Sequence, residues 1–295
     1  MSRRNRWIVL GLLGVAVVVA LEIAHRSISL GLDPQGQKRY FDTPLPTIML
    51  GVIIGVTYGL LAVGLVLIYR TNRIINFAHG EIGAFGAAVF GVMVVRWHLP
   101  YYVALPLGLA VSAGIGVLAE VAVIRRLRKA PRLMSIVATL GFGQFLVALS
   151  FAVNSQAGSG QLYPKPPFLP VWNFGALRIT EAYFAMLVSG PLMIIALVWF
   201  LRGTRFGLGI RSAAANPEAA RMAGIFAGRM SSLAWAIAGV LSALIAILTA
   251  PTKGFTTGES FGPGLLLRAL VCGVLARMTS LPIALGAGVV LGVIE

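Results

Sequence analysis

Charged residues are scarce in this sequence, and their scarcity excludes an ordinary water-soluble fold. Only 11% of the 295 residues are charged, whereas about a quarter of a typical soluble domain is charged. Hydrophobic residues make up 58% of the chain, and the mean hydropathy is +0.89. So few charges cannot cover the surface of a soluble protein of this length. The composition therefore indicates an integral membrane protein with one membrane domain.

Motifs for disulfide, metal and nucleotide chemistry are also missing. The single cysteine, Cys272, has no partner for an intrachain disulfide. His79 and Glu81 lie close together without further ligands, so we expect no metal site and no cofactor. No glycine-rich loop ends in Gly-Lys-Ser or Gly-Lys-Thr, and no Ser-His-Asp or Cys-His set suggests an active site. We therefore expect that the chain is not an enzyme and that any ATP hydrolysis occurs on a separate chain.

Long apolar runs, in contrast, recur along the whole chain. A helix of about 20 residues crosses a hydrocarbon core of about 30 Å, and a helix satisfies its own backbone hydrogen bonds in lipid. The sequence therefore predicts an all-α polytopic bundle of about eight transmembrane helices. The predicted spans are Trp7–Ala24, Leu45–Tyr69, Ile74–Val95, Tyr101–Ile124, Leu133–Val153, Ala182–Leu201, Leu233–Ala250 and, with an interruption, Leu265–Ile294.

The first apolar run has two interpretations. Arginines precede it, as they do in a cleaved signal peptide. No convincing cleavage site follows, however, and Glu22 and His25 occupy the place where one is expected. We therefore predict an uncleaved helix and an external loop in residues 1–44, followed by the main transmembrane domain in residues 45–295.

Basic residues flank the apolar runs, and their distribution predicts the orientation. Most of the 24 lysines and arginines fall at positions that are cytoplasmic if the N-terminus is cytoplasmic. The clusters at residues 125–132 and 202–229 contribute most of this bias. The same placement favours contact with membrane lipid over nucleic acid, because the basic residues form no continuous stripe. We expect a multi-pass protein of the plasma (inner) membrane, with the proline-rich segment Asn154–Glu181 as an external cap.

Small residues recur at four-residue intervals within several of the predicted spans. Such stripes let helix backbones approach closely, which is a main source of helix association in lipid. We therefore predict helix contacts along these faces. The stripes are Gly51, Gly55 and Gly59; Gly83, Ala87 and Gly91; Ala104, Gly108, Ser112 and Gly116; and Ala284, Gly288 and Gly292.

A polar segment precedes the third predicted span. Polar groups at the edge of a span avoid lipid and face protein, water or the headgroup boundary. Asn76 and Glu81 are equally suited to start a helix, as a cap and as a negative charge in the first turn. Structural capping and a functional role for these polar groups therefore both remain open. The residues concerned are Asn76, Phe77, His79, Gly80 and Glu81.

A second informative segment is the long basic loop from Arg202 to Ser232. Asn216 suits an N-cap, Pro217 suits the first helical position, and Gly224 suits the left-handed residue that ends a helix. The pattern predicts a short helix on the cytoplasmic face. This helix would either dock on a partner or lie on the lipid headgroups.

Two motifs in these segments resemble the signatures of the high-affinity branched-chain amino acid ABC transporter permeases. The first is Ile-Asn-Phe-Ala-His-Gly-Glu at residues 75–81. The second is Asn-Pro-Glu-Ala-Ala-Arg at residues 216–221, followed by Gly224 and Ile225. Both occur in the expected order, and the resemblance runs from Pro46 to Ile294.

This resemblance implies a permease that pairs with a second, related permease, receives substrate from a soluble binding protein and docks on cytoplasmic ATPase subunits. The segment at residues 76–81 would lie near the translocation path or its gate. The short helix in the basic loop would be the coupling element seated in the ATPase. The residues implied for coupling are Arg211, Asn216, Pro217, Glu218, Ala219, Ala220, Arg221 and Gly224.

Three features depart from the family pattern. The span Trp7–Ala24 is additional, and residues 272–282 contain fewer glycines than usual, which leaves the tight turn expected there open. The apolar pattern stops at Glu295, where relatives continue into a further helix. We expect either a shortened product or part of a longer or fused permease.

Other functions fit parts of the pattern. The motifs do not separate branched-chain amino acids from urea or short amides as the solute. An ion-coupled secondary transporter would need ionisable groups near mid-membrane, where only Arg268 is a candidate. A structural or assembly factor of the membrane is the third possibility. Dependence of uptake on an ATPase separates the first class from the other two.

The charge distribution makes a testable prediction of topology. In a Cys272→Ser background, a cysteine placed at Ser159 should react with an impermeant thiol reagent on intact cells, because this position is external. Cysteines at Ser2 and Lys129 should react only after the membrane is opened. Labelling of intact cells at Lys129 but not at Ser159 would contradict the predicted orientation.

Overall fold

The computed structural model describes residues 29–32, 38–40, 45–128, 130–154, 163–174, 177–253 and 263–295. The predicted first span, Trp7–Ala24, lies outside these residues. Helices dominate the described chain: α1 (Leu45–Asn72), α2 (His79–Val95), α3 (Tyr101–Leu118), α4 (Arg132–Asn154), α5 (Glu181–Gly203), α6 (Arg205–Ala215), α7 (Pro217–Met222), α8 (Ala227–Lys253), α9 (Pro263–Leu275) and α10 (Leu281–Ile294).

Five of the described helices are long and apolar enough to cross a membrane. This finding confirms a polytopic helical membrane bundle, but it does not confirm the predicted number of about eight spans. Three further apolar helices, α2, α9 and α10, are shorter. The membrane-crossing segments are Thr47–Asn72, Tyr101–Ile124, Leu133–Val153, Glu181–Gly203 and Ala227–Thr252.

Helices α1 and α8 form the centre of the bundle. Both are buried along most of their apolar length, whereas α4 and α5 expose most of theirs. The large buried side chains include Leu61 and Leu67 of α1 and Trp235 and Leu241 of α8. The exposed faces of the outer helices carry leucine, isoleucine and tryptophan, as expected of surfaces that contact lipid.

Helix α2 begins deeper in the bundle than the sequence predicts. The predicted span started at Ile74, but the helix starts at His79, after a non-helical stretch. A Cβ atom at Gly64 in the middle of α1 would lie 2.5 Å from Nε2 of His79, so this start is well inside the bundle. Non-helical backbone at such depth is tolerated because protein surrounds it.

The predicted last span is a hairpin of two short helices. Helix α10 is antiparallel to α1. Near the start of α1, a Cβ atom at Gly51 would lie 2.5 Å from the carbonyl oxygen of Gly292 in α10. Further along α1, a Cβ atom at Gly59 would lie 2.7 Å from the carbonyl oxygen of Leu285. Helix α9 runs the other way, and Arg268 of α9 pairs with Glu295 just after α10. The interpretation of Leu265–Ile294 as one interrupted span is therefore wrong: the chain enters and returns on one side.

A tight turn joins the two helices of this hairpin without glycine. Arg277 and Met278 both adopt left-handed backbone conformations, with φ of 53° and 51°. Such conformations disfavour residues that carry a Cβ atom. Met278 is held in place because its backbone N–H donates a 2.8 Å hydrogen bond to the Gly273 carbonyl and its side chain is buried. The sequence analysis left this tight turn open because residues 272–282 contain few glycines. The structure contains the turn.

Small residues line the closest contacts between the helices. Gly108, Ser112 and Gly116 are all buried on one face of α3. The Ser112 hydroxyl donates a 2.9 Å hydrogen bond to the Ile82 carbonyl of α2. A Cβ atom at Gly116 would lie 2.5 Å from the Trp235 carbonyl oxygen of α8. The stripe therefore brings α3 into backbone contact with both neighbours.

Two short antiparallel hairpins, which the sequence analysis did not predict, occur outside the bundle. One joins β1 (Ser29–Leu32) to β2 (Lys38–Tyr40), and the other joins β3 (Trp172–Phe174) to β4 (Leu177–Ile179). The second belongs to the segment predicted as a cap. In that segment Tyr163 is buried, and its hydroxyl donates a 2.9 Å hydrogen bond to the Ala87 carbonyl of α2. Burial raises the pKa of Tyr163 well above its ordinary value, which keeps this donor protonated.

The contact between α1 and α10 gives a matched test of helix packing. A Cβ atom at Gly288 would lie 2.6 Å from the Gly55 carbonyl oxygen, whereas one at Gly286 would meet no atom within 4 Å. Gly288→Leu should therefore lower stability by about 1–3 kcal/mol or more, as overpacking does. Gly286→Leu should have little effect. The thermal midpoint of each detergent-solubilised variant, followed by size-exclusion chromatography, measures its stability. Equal losses of stability in the two variants would mean that the small-residue stripe is not a helix contact.

Candidate functional site

One face of the bundle gathers arginines from distant parts of the sequence, and we call it the basic face. Arg73 after α1, Arg128 before α4 and Arg221 on α7 line one cavity of about 380 Å³. On the same face, the hydroxyl of Ser231 at the start of α8 donates a 2.9 Å hydrogen bond to Oδ1 of Asn72. The basic clusters that predicted the cytoplasmic side therefore share one face.

Helix α7 is the short helix predicted in the basic loop, and its ends are capped by specific contacts. The side-chain oxygen of Asn216 accepts hydrogen bonds from the backbone N–H groups of Glu218 and Ala219, at 3.0 and 3.1 Å. Pro217 occupies the first turn. Beyond the helix, Gly224 has a φ of 79°, in the left-handed region. Both ends therefore fix the geometry of this helix.

The surface of α7 combines exposed apolar and charged groups. Met222 is 91% exposed at its end, and Phe226 is exposed just after it. Glu218 and Arg221 are exposed on the same short helix, and Ala219 is exposed between them, whereas Ala220 is buried against the bundle. Exposed large apolar groups beside charges on a rigid helix are typical of a protein contact.

Helix α6 was not predicted, and it fixes the position of α7. The Thr204 hydroxyl accepts a 3.0 Å hydrogen bond from the backbone N–H of Gly207 and caps α6. A Cβ atom at Gly207 would lie 2.5 Å from Cα of Leu201, so α6 packs closely on the end of α5. Arg211 is exposed on this helix, one turn before Asn216. The Thr-x-x-Gly spacing was a signal that the sequence analysis did not use.

Glu120 is the functional candidate that the sequence analysis missed. It is fully buried in a π-helical turn, Ala119–Ile124, that continues α3. Its carboxylate accepts hydrogen bonds from Arg125 at 2.7 Å, from Arg128 at 3.0 Å and from the Ser232 hydroxyl at 2.8 Å. This cluster joins the end of α3 to the start of α8. A carboxylate within a span, next to basic residues, was the available signal.

Side-chain hydrogen bonds hold the polar segment before α2. Oδ1 of Asn76 accepts a 3.0 Å hydrogen bond from the backbone N–H of Ala78, in the turn that leads into the helix. The N–H of Phe77 donates to the Thr139 hydroxyl of α4 at 3.3 Å. Ala78 directly precedes α2 and makes no side-chain cap bond, and Glu81 lies in the first turn of the helix. Asn76 and Glu81 therefore occupy places that suit the start of a helix.

Two polar side chains in this segment keep unused hydrogen-bonding groups. Nδ2 of buried Asn76 has no hydrogen-bond partner among the described residues. The ring of fully buried His79 lies near the backbone of Leu61, but neither ring nitrogen makes a well-aligned hydrogen bond with a described residue. The carbonyl of His79, in contrast, accepts a 2.6 Å hydrogen bond from the Ser242 hydroxyl of α8. Gly80 is buried in the first turn of α2, and Glu81 is half-buried and faces Gly143 of α4.

Comparison with known families finds a match over most of the chain. The model of the family described as "Branched-chain amino acid transport system / permease component" matches residues 47–295. This range contains every candidate residue described above and every described helix except the first two residues of α1.

Individual relatives agree with this family. The chain is 26% identical over 266 residues to the high-affinity branched-chain amino acid transport system permease protein LivH of Escherichia coli (strain K12), covering 83% of this chain and 82% of the relative. It is 25% identical over 256 residues to the corresponding protein BraD of Pseudomonas aeruginosa, covering 83% of both chains. It is also 27% identical over 237 residues to the autoinducer 2 import system permease protein LsrC of Photorhabdus luminescens, covering 80% of this chain and 66% of the relative.

The buried carboxylate makes a prediction about stability. Glu120→Gln removes the common counter-charge of Arg125 and Arg128, whose side chains are 40% and 37% exposed. Because water can solvate these two guanidinium groups, the expected cost is that of lost hydrogen bonds to a charged group, about 1.5–3 kcal/mol. Glu218→Gln removes the same charge from an exposed position, so its effect on stability should stay within about 0.5 kcal/mol. Chemical denaturation in detergent, followed by tryptophan fluorescence, compares the two. Equal stabilities would show that the cluster does not hold α3 to α8.

Proposed function

The chain belongs to the family of branched-chain amino acid transport permeases, and we propose that it forms the membrane subunit of an ATP-driven importer for branched-chain amino acids. The names of the LivH and BraD relatives support this solute class. The sequence has no phosphate-binding loop of its own, so the ATPase is a separate cytoplasmic chain. A second, related permease in the membrane and a soluble binding protein complete the importer.

The observation that carries this proposal is the geometry of α7. A helix that transmits motion from an ATPase has to be rigid, exposed and attached to the membrane bundle. Helix α7 meets these conditions, because Asn216 caps it, Met222 projects into solvent and Ala220 packs inward. The residues of the coupling element are Arg211, Asn216, Pro217, Glu218, Ala219, Ala220, Arg221 and Gly224.

The orientation of the chain in the membrane follows from the basic face. The basic face is the cytoplasmic face, because basic residues accumulate on the cytoplasmic side of membrane proteins. The importer therefore lies in the inner membrane, with the N-terminus of this chain in the cytoplasm. The hairpin of α9 and α10 then begins and ends on the external side.

The segment at residues 76–81 is proposed as part of the translocation path or its gate. Buried polar groups without partners cost about 1–3 kcal/mol each, so they persist where another state of the protein, or a solute, supplies the partner. Asn76 carries such a group within the bundle, and the ring of buried His79 makes no well-aligned hydrogen bond there. Since Ser242 of α8 also binds the first residue of α2, movement of α8 would be transmitted directly to this segment.

An ion-coupled transporter finds less support. That mechanism requires ionisable groups that change charge near mid-membrane. The candidate from the sequence, Arg268, is paired with Glu295 and partly exposed. A structural or assembly factor has no evident need for a capped, exposed helix on the cytoplasmic face.

Charge reversal on α7 tests the proposed coupling. In proteoliposomes that contain this chain, its partner permease and the ATPase, Glu218→Arg should lower ATP-driven leucine uptake about tenfold or more. The same variant should remain folded and should bind the ATPase more weakly in a pull-down. The double variant Pro217→Gly with Gly224→Val should act similarly, because it loosens the helix without changing its charge.

A matched control is Glu181→Arg, at the other end of α5 and outside α7, which should retain uptake and ATPase binding. Unchanged uptake and association in all α7 variants would remove the coupling assignment. Leucine uptake that needs an ion gradient but no ATP would contradict the proposed function itself.

A further inference from the structure

The cavity at the basic face lies where several parts of the chain meet. It has a volume of about 380 Å³, and it is lined by the end of α1, the π-helical turn and the loop after it, the start of α4, α6, α7 and the start of α8. The proposed coupling helix therefore borders it together with the membrane bundle. The lining residues used below are Asn72, Arg73, Arg128, Ser135, Arg221 and Ser231.

The cavity carries positive charge that the surrounding side chains do not neutralise. No aspartate or glutamate is among the described residues that line it. Arg128 is paired with Glu120, which lies outside the lining. Arg73 and Arg221 form no ion pair within the described parts of the chain. Two guanidinium groups that line the cavity are therefore available to an anion.

A largely buried serine lines the same cavity. Ser135, in the first turn of α4, is 5% exposed. Its hydroxyl can donate one hydrogen bond to a group in the cavity. Ser135 therefore offers a neutral donor beside the two arginines.

We propose that this cavity binds a phosphate group, held by the guanidinium groups of Arg73 and Arg221 and by the hydroxyl of Ser135. Arginine binds phosphate through paired N–H donors, and serine adds a third donor. The phosphate comes either from solution or from the headgroup of an anionic lipid, since the cavity lies at the end of the membrane-crossing helices. Bound there, it connects α7 to α4 and to the end of α1.

A consequence for transport rests on the proposed function. If α7 is the coupling helix, a phosphate bound to Arg221 restrains the element that receives motion from the ATPase. Occupancy would then change the coupling between hydrolysis and transport. The binding itself does not depend on this role and is tested without any transport measurement.

The test uses the full-length chain in a neutral detergent and in lipid nanodiscs. Potassium phosphate, compared with potassium chloride at equal ionic strength, should raise the thermal midpoint if free phosphate binds. Native mass spectrometry should show retained phosphatidylglycerol, but no retained phosphatidylcholine, if a lipid headgroup binds. The double variant Arg73→Gln with Arg221→Gln should weaken binding of the phosphate or lipid about tenfold or more. Ser135→Ala, which changes no charge, should weaken the same binding severalfold.

The control is Arg202→Gln with Arg229→Gln, which removes two exposed charges that do not line the cavity. This control should bind as the unmodified protein does. Either phosphate source supports the proposal when the cavity variants lose binding and the control keeps it. Absence of binding to both sources, or equal losses in the cavity and control variants, would overturn it. If the double variant fails to fold, Ser135→Ala alone decides the outcome.

Discussion

Close approach of helix backbones is the constraint on which the rest of this structure depends. Lipid offers no hydrophobic drive between helices, so they associate through van der Waals contact where side chains are smallest. Gly55 and Gly288 bring α10 against α1, and Ser112 and Gly116 bring α3 against α2 and α8. These contacts make α1 and α8 a rigid centre. Without them, neither the hairpin of α9 and α10 nor the late start of α2 would be covered by protein.

This rigid centre connects the interior of the membrane domain to the basic face. Helix α8 binds the Glu120 cluster through Ser232 and the start of α2 through Ser242. Ser231 on the same helix binds the end of α1. A single continuous helix therefore contacts both the basic face and the backbone of His79. The buried polar groups at Asn76 and His79 lie at the far end of this connection, which is consistent with their proposed place in the path.

The sequence predicted the features that composition and local pattern determine. Apolar length indicated the helices that cross the membrane, and the caps at Asn216 and Gly224 predicted α7. It did not predict the α9–α10 hairpin, because apolar residues continue through the turn and hydropathy does not report chain direction. It also missed the cluster around Glu120. Arg125 and Arg128 follow Glu120 within eight residues and were a local signal, whereas Ser232 comes from a distant segment. The contact with Ser232 depends on how the helices pack, and no local pattern records it.

The most direct test of the central claim is a photo-crosslink from α7 to the ATPase. A photoreactive amino acid replaces Met222, which is exposed at the end of α7, or Phe168, which is 96% exposed in the segment predicted to cap the opposite face. In membranes that contain the whole importer, light should attach the Met222 position to the ATPase subunit and leave the Phe168 position unattached to it. A crosslink to the ATPase from Phe168 but not from Met222 would contradict the account.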